Sequence, residues 1–192
     1  MNWEVITYAA NIIDYIRLVL LFASIFFKGN TFILLYATSV SLDFFDGYVA
    51  KAQEKVSTLG ATMDMIIDRV TTVVILMKIS LEKPDLAIKC ILYSAIDLIS
   101  HFHFFLVSAY TGQSHKSMVS KGLLYIYYSK PLVLGILCLG SELCFIATYL
   151  SKTKNSAVKM LQGIAIVKTF FHIVHFFVAI AELSKLPVLK SK

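Results

Sequence analysis

Apolar residues fall into six long runs that are separated by short polar stretches. Each run is roughly 20 residues or longer, the length that an α-helix needs to cross the hydrocarbon core of a bilayer. The runs are Val5–Phe27, Thr31–Ala50, Leu59–Leu81, Leu86–Ala109, Pro131–Ser151 and Ala157–Leu183. The pattern predicts an all-α polytopic integral membrane protein, in which six transmembrane helices form a single domain over residues 1–192.

Composition and charge support this class and exclude others. The chain is 58% hydrophobic and 16% charged, whereas soluble domains are about 45–50% apolar and about 25% charged. The net charge is +6, but the lysines are scattered at the ends of the apolar runs and form no stripe, so we expect no nucleic-acid partner. Lys78, Lys89 and Lys159 are predicted to extend toward the membrane interface.

Ionisable and polar side chains at membrane depth are concentrated in one half of the bilayer. They lie in the first half of the first and third runs and in the second half of the second, fourth and sixth runs. Because successive helices cross in opposite directions, these halves are on the same side of the membrane. Examples are Asn11, Asp14, Arg17, Asp43, Asp46, Asp64, Asp68, Asp97, His101, His103, Lys168, His172 and His175. Charges inside a membrane are costly and mark functional cavities. We therefore predict a polar cavity that opens to one side, and a slight excess of lysines makes that side cytoplasmic.

Four aspartates form the sharpest feature of the chain. Asp43 and Asp46 are three residues apart and share a helix face, as do Asp64 and Asp68, which are four apart. A short hairpin at 53–58 lets the two pairs face each other. Four neighbouring carboxylates repel one another unless cations compensate them. Mg²⁺ or Mn²⁺ prefers such oxygen ligands, and two ions together can clamp a phosphoryl group.

The spacing of these aspartates and of two glycines resembles the signature of the CDP-alcohol phosphatidyltransferase family, D-x2-D-G-x2-A-R-x8-G-x3-D-x3-D. The matching positions are Asp43, Asp46, Gly47, Ala50, Lys51, Gly60, Asp64 and Asp68. Lys51 replaces the usual arginine, which keeps the charge but loses the bidentate fork. By themselves, the glycines fit either close helix packing or close approach of a substrate diphosphate.

The resemblance implies a six-helix membrane fold, commonly a homodimer, with two divalent metal ions, Mg²⁺ or Mn²⁺. It implies that an alcohol hydroxyl attacks the lipid-bearing phosphorus of CDP-diacylglycerol and that CMP leaves. Asp43, Asp46, Asp64 and Asp68 would be metal ligands, and Asp68 would also be the catalytic base. The residues implied in binding CDP-diacylglycerol are Asn11, Arg17, Gly47, Lys51 and Gly60.

Three further segments resemble eukaryotic phosphatidylinositol synthases: Asp97–His103, Ser114–Lys116 and Leu124–Leu143. This resemblance implies that myo-inositol is the acceptor and that the protein is located in the endoplasmic reticulum membrane. An uncharged polyol calls for side chains that donate and accept hydrogen bonds. The candidate inositol-binding residues are Asp97, Ser100, His101, His103, His115, Lys116 and Lys130.

Three alternatives stay open at this point. A family member could use another acceptor, such as glycerol 3-phosphate or serine. A small cation transporter or channel could be lined by the aspartates, although a permeation path should cross both leaflets. A membrane scaffold without activity would leave the cost of the buried acidic cluster unexplained.

Overall fold

The computed structural model describes residues 2–112, 123–151 and 156–186, and in these ranges it contains helices and no strand. The helices are α1 (Trp3–Ile6), α2 (Ala9–Ile25), α3 (Gly29–Ala52), α4 (Thr58–Glu82), a 3₁₀ turn (Pro84–Leu86), α5 (Ala87–Thr111), α6 (Leu123–Ser129), α7 (Pro131–Leu150) and α8 (Ser156–Leu183). The all-α prediction is confirmed. The chain forms two compact units, Met1–Glu82 and Lys83–Lys192, so the single domain stays a prediction.

Four of the six predicted spans are long and apolar enough to cross a membrane. They are Gly29–Ala52, Pro84–Thr111, Leu132–Leu150 and Lys159–Leu183. The other two predicted spans correspond to α2, which has 17 residues, and α4, which carries five charged residues. The class of integral membrane protein therefore fits. Among the described residues, four helices rather than six meet the length and composition of a membrane span.

The first apolar run, Val5–Phe27, is not one continuous helix. The helix breaks at Thr7 and Tyr8, where Tyr8 has an extended ψ of 138°. The Thr7 hydroxyl donates to the carbonyls of Trp3 and Glu4, which satisfies two C-terminal carbonyls of α1. At 1.5 Å per residue, α2 alone is about 25 Å long, slightly less than the hydrocarbon core.

The N-terminal unit is built from α2 packed against α3 and α4. Its apolar core consists of Leu21, Phe32, Tyr36, Ile75 and Ile79, each at most 1% exposed. The buried Ser39 hydroxyl on α3 donates to the backbone carbonyl of Arg17 on α2 at 2.9 Å. This bond fixes the register of the two helices at the depth where the Arg17 side chain leaves the backbone.

The hairpin between α3 and α4 has defined caps at both ends. Lys55 N–H donates to the Ala50 carbonyl, and Glu54 adopts a left-handed φ of 55°, which together are features of a Schellman termination. The Ser57 hydroxyl then accepts the N–H of Gly60 at 3.0 Å, as an N-cap side chain does. The two aspartate-bearing helix ends are therefore joined by a short, hydrogen-bonded turn.

The C-terminal unit packs α5 and α7 against α8. One cluster in its core comprises Phe104, Val107, Leu124 and Ala179. The stretch between the fourth and fifth apolar runs is not entirely a connecting loop, because α6 forms within it. Leu124 and Tyr127, one helical turn apart, are 2% and 4% exposed, so burial of this apolar face explains the helix.

Lys78 is buried against the protein rather than exposed. Its side chain is buried, and Nζ donates to the carbonyls of Ile25 at 2.6 Å and Phe27 at 2.8 Å. It also lies 5.2 Å from the ring centroid of Phe32. Because the last carbonyls of a helix have no partner within it, Lys78 caps the C-terminus of α2 from α4.

Replacing Lys78 by methionine should destabilise the N-terminal unit. The variant leaves two helix-end carbonyls without their donor, which costs about 1–3 kcal/mol. Thermal unfolding of the detergent-solubilised protein measures the loss, with Lys89→Met as control because Lys89 is exposed. Equal melting temperatures for the two variants would contradict the capping role.

Candidate active site

One arginine lies at the centre of five carboxylates. Arg17 Nη1 is 3.0 Å from Asp14 Oδ1, 2.5 Å from Asp46 Oδ2 and 3.0 Å from Asp64 Oδ1. Nη2 is 2.9 Å from Asp68 Oδ1 and also contacts Asp43 Oδ1. The structure therefore brings together all four aspartates that the sequence predicts as metal ligands, together with the Arg17 predicted to bind CDP-diacylglycerol.

The five carboxylates form a buried layer and an accessible layer. The side chains of Asp14 and Asp46 are 3% and 8% exposed, whereas those of Asp43, Asp64 and Asp68 are 36–46% exposed. The accessible layer combines one residue of α3 with two of α4. A charged ligand can therefore approach Asp43, Asp64 and Asp68 directly, while Asp14 and Asp46 lie behind them.

Arg17 cannot satisfy all of its partners. Nη1 carries two N–H groups but faces three carboxylates. Arg69 lies 3.7 Å from Asp68 Oδ2 and adds a second positive charge. With five aspartates against two guanidinium groups, the ionised cluster keeps an excess of three negative charges. This excess favours the binding of further cations.

The donor atoms of the cluster fit hard divalent ions. Two groups of three carboxylates have oxygens within 4.8 Å of one another: Asp14, Asp46 and Asp64, and Asp43, Asp64 and Asp68. Oxygen-only donors of negative charge suit Mg²⁺ or Mn²⁺ and suit softer metals poorly. The second group is the accessible one and consists entirely of residues predicted as metal ligands.

Asn11 and Gly60 form a close contact between α2 and α4. A Cβ atom on residue 60 would lie 2.6 Å from Asn11 Oδ1, too close for any real contact. Asn11 is 1% exposed, and its Nδ2 donates to the Val5 carbonyl at 2.6 Å. Of the two readings for this glycine, the structure thus favours close packing. The amide nitrogen of Asn11 therefore bonds to α1, and its amide oxygen lies against Gly60 of α4.

Gly47 and Lys51 are placed differently. A Cβ atom on Gly47 would meet no atom within 4 Å, so packing within the described chain does not require a glycine there. Both residues are exposed on the last turns of α3, following Asp46. Open space at Gly47 is compatible with the close approach of a substrate to the backbone.

A second polar cluster lies inside the C-terminal unit. Asp97 Oδ1 is 3.1 Å from His172 Nδ1 and 3.5 Å from His101 Nδ1. Asp97 is completely buried, and the side chains of His172 and His101 are 1% and 20% exposed. The His101 ring also stacks edge-on against His172 and His175. One aspartate thus links α5 to α8 through imidazole groups.

The other predicted inositol-binding residues are more dispersed. Ser100 is buried and donates to the Asp97 carbonyl at 2.9 Å, and His103 Nδ1 lies 2.8 Å from the Ile99 carbonyl. Lys130 is exposed immediately before α7. His115 and Lys116 lie outside the described residues. The structure therefore joins Asp97, Ser100 and His101 in one place.

Sequence reasoning missed Asp14 and His172. Both were noted as polar residues of one bilayer half, but neither was given a role. For Asp14 the signal was its position three residues before Arg17, which puts the two on one helix face. For His172 no spacing argument was available, because its partner Asp97 lies 75 positions earlier in the chain.

Together, the fold and the site define a class of protein. It is an α-helical integral membrane protein with a cluster of carboxylates whose oxygens lie close to one another. The comparison with known families is consistent with this class and narrows it. The profile described as CDP-alcohol phosphatidyltransferase matches residues 7–184, and the chain belongs to this family. Family members generally depend on divalent metal ions.

Three relatives share one enzyme name. The chain is 33% identical over 160 residues to the CDP-diacylglycerol–inositol 3-phosphatidyltransferase of Saccharomyces cerevisiae, covering 80% of this chain and 73% of that protein. It is 28% identical over 200 residues to the Homo sapiens protein of the same name, with coverage of 95% and 94%. A probable Arabidopsis thaliana homologue of that name is 32% identical over 175 residues, covering 84% and 77%. No solved structure matches.

The two signature glycines should respond in opposite ways to alanine. Gly60→Ala forces a methyl group against Asn11 and should cost about 1–3 kcal/mol of stability, as overpacking does. Gly47→Ala meets open space and should leave stability unchanged or raise it by up to about 1 kcal/mol, because alanine favours helix. Thermal unfolding of both variants measures this contrast, and equal destabilisation would contradict it.

Proposed function

We propose that this protein transfers the phosphatidyl group of CDP-diacylglycerol to myo-inositol, giving phosphatidylinositol and CMP. The observation that carries the proposal is the convergence of all four signature aspartates on the Arg17 guanidinium. The printed names of the relatives supply the two substrates. The activity is therefore that of a membrane-bound transferase.

The donor side of the site lies in the N-terminal unit. Asp43, Asp46, Asp64 and Asp68 would hold two divalent ions, which, when bound, supply positive charge to the diphosphate and to the departing CMP. A Cβ atom on Gly47, the residue after Asp46, would meet no atom within 4 Å. The diphosphate would approach the backbone there, while the acyl chains stay in lipid.

Charged and polar residues around the aspartates complete the donor side. Lys51, exposed one turn beyond Gly47, would pair with phosphate as a point charge rather than with a bidentate fork. Asn11 and Gly60 act by setting the distance between α2 and α4. Arg17 contributes a fixed positive charge within the carboxylate cluster.

Asp68 is the general base in this proposal, as the family resemblance implies. Arg17 engages its Oδ1 at 2.9 Å, whereas its Oδ2 is 3.7 Å from Arg69, beyond ordinary hydrogen-bond distance. The side chain is 36% exposed. Asp68 would take the proton of the inositol hydroxyl as the new O–P bond forms and the bond from phosphorus to CMP breaks.

Acceptor recognition is assigned to the C-terminal unit. The buried Asp97 and Ser100 hold polar groups in place around His101, whose side chain is partly exposed. His101 Nδ1 lies 2.8 Å from the Asp97 backbone carbonyl. If Nδ1 carries the proton, Nε2 is left as an acceptor for a polyol hydroxyl. His103, His115, Lys116 and Lys130 remain candidate contacts from the sequence.

Location and assembly follow from the same proposal. The protein would reside in the endoplasmic reticulum membrane with the aspartate cluster facing the cytoplasm, where CMP and inositol are exchanged with water. It would act as a homodimer. Support for the orientation is the lysine bias of the sequence, and support for the dimer is the family resemblance.

The assay that tests this function measures CMP release from CDP-diacylglycerol in membranes containing the protein. Mg²⁺ or Mn²⁺ is supplied, and inositol, serine or glycerol 3-phosphate is added in turn. We expect release with inositol alone. Release with another acceptor would keep the phosphatidyl transfer and reject inositol, whereas no release with any acceptor, from folded protein, would reject the transferase.

Asp68→Asn should abolish turnover while leaving binding of CDP-diacylglycerol partly intact. Removing a general base lowers rates by about 100-fold to 10,000-fold, and asparagine keeps the size of the side chain. Initial rates and a separate measurement of CDP-diacylglycerol binding distinguish the two effects. A rate close to that of the wild type would exclude Asp68 as the base.

His101→Ala should raise the KM for inositol while changing the KM for CDP-diacylglycerol little. Loss of one polar contact that costs about 1–2 kcal/mol corresponds to roughly a 5-fold to 30-fold change. Phe102→Ala is the matched control, since its exposed side chain is the next residue on α5. Equal effects on both KM values, or the same effect in the control, would remove His101 from the acceptor site.

A further inference from the structure

Asp14 is the one carboxylate around Arg17 that lies outside the family signature. It is located on α2, one turn before Arg17, and both residues are 2% exposed. Its Oδ1 is 3.0 Å from Arg17 Nη1. Burying an ion pair in a membrane protein is costly. A purely apolar residue would fill this position of α2 at lower cost, so the pair calls for a function.

Arg17 and divalent cations compete for the same oxygens. The two Nη atoms of Arg17 contact all four signature aspartates, which are the proposed ligands of the ions. Each guanidinium contact engages an oxygen that an ion would use. When ions bind, Arg17 must therefore give up contacts in the accessible layer without leaving an uncompensated charge at membrane depth.

Asp14 is suited to retain Arg17 in that situation. It is on the same helix, so its distance from Arg17 does not depend on how α3 and α4 move. The accessible aspartates are 36–46% exposed, whereas Asp14 lies in the buried layer. As a buried partner, Asp14 keeps the Arg17 guanidinium neutralised behind the proposed ligands. The oxygens of the accessible aspartates can then turn toward the ions.

We propose that Asp14 is a positioning residue that holds the Arg17 guanidinium in the buried layer and thereby frees the signature aspartates for divalent cations. The inference rests on the proposed function in one respect, since it takes these aspartates as the cation ligands. It does not depend on the identity of the acceptor. It assigns Asp14 an effect on cation affinity that is transmitted through Arg17.

A double-mutant cycle on the full-length protein in detergent tests this role with Mn²⁺ alone. Free Mn²⁺ is measured by electron paramagnetic resonance during titration of the wild type, Asp14→Asn, Arg17→Gln and the double variant. Without Asp14, Arg17 relies more on the signature aspartates, so Asp14→Asn should weaken Mn²⁺ binding by about threefold or more. Arg17→Gln removes the competitor and should tighten binding by a similar factor. The double variant should bind like Arg17→Gln.

The decisive quantity is the effect of Asp14→Asn in the two backgrounds. If it weakens Mn²⁺ binding by the same factor with and without Arg17, Asp14 acts as a ligand or as a general negative charge, and the proposal is overturned. No effect in the wild-type background also overturns it. Asp14→Glu keeps a carboxylate and should restore most of the affinity.

Folding and function are controlled separately. Thermal unfolding in EDTA shows which variants fold, and Arg17→Lys replaces Arg17→Gln in the same cycle if the latter does not. Lysine keeps the positive charge but loses the bidentate guanidinium. The effect of Asp14→Asn on Mn²⁺ affinity should therefore be smaller in the Arg17→Lys variant than in the wild type. Wild-type protein that binds no Mn²⁺ overturns both this inference and the proposed ligands. A second outcome overturns the inference alone. In it, the wild type binds Mn²⁺ and releases CMP with inositol, but Asp14→Asn changes the Mn²⁺ affinity by the same factor with and without Arg17.

Discussion

The ion pairs between Arg17 and five carboxylates are the interaction on which the N-terminal unit depends. They join three helices at membrane depth through a single guanidinium. The hydrophobic effect does not drive helices together in lipid, because lipid tails are as apolar as the side chains, so packing and polar contacts matter more. The register of α2, α3 and α4 is therefore defined by polar contacts: this cluster, the Ser39 bond to the Arg17 carbonyl, and Lys78 at the opposite end.

The two polar clusters differ in composition. The N-terminal cluster is rich in carboxylates and suits hard cations. The C-terminal cluster contains one aspartate and several imidazoles around His101, and imidazole groups can donate and accept hydrogen bonds. The two clusters therefore suit different kinds of ligand.

The sequence predicted most of the helices and the four aspartates because both follow from local patterns. Apolar length defines α3, α5, α7 and α8 within a residue or two, and spacing defines the shared faces of the aspartate pairs. Contacts between distant positions could not be predicted this way. The capping role of Lys78 and the Asp97–His172 pair each depend on which helix is the neighbour. Asp14 was visible as a charge, but its role depends on where the Arg17 side chain points.

The buried charges of the N-terminal helices have a consequence for biogenesis. Within this unit, α3 alone meets both the length and the composition of a membrane span, because α2 has 17 residues and α4 carries five charged residues. A nascent chain would therefore need α3 as the anchor, and its flanking helices would become stable in lipid once the ion pairs form. Substitutions in the cluster would then lower the amount of protein that survives membrane quality control, separately from any effect on catalysis.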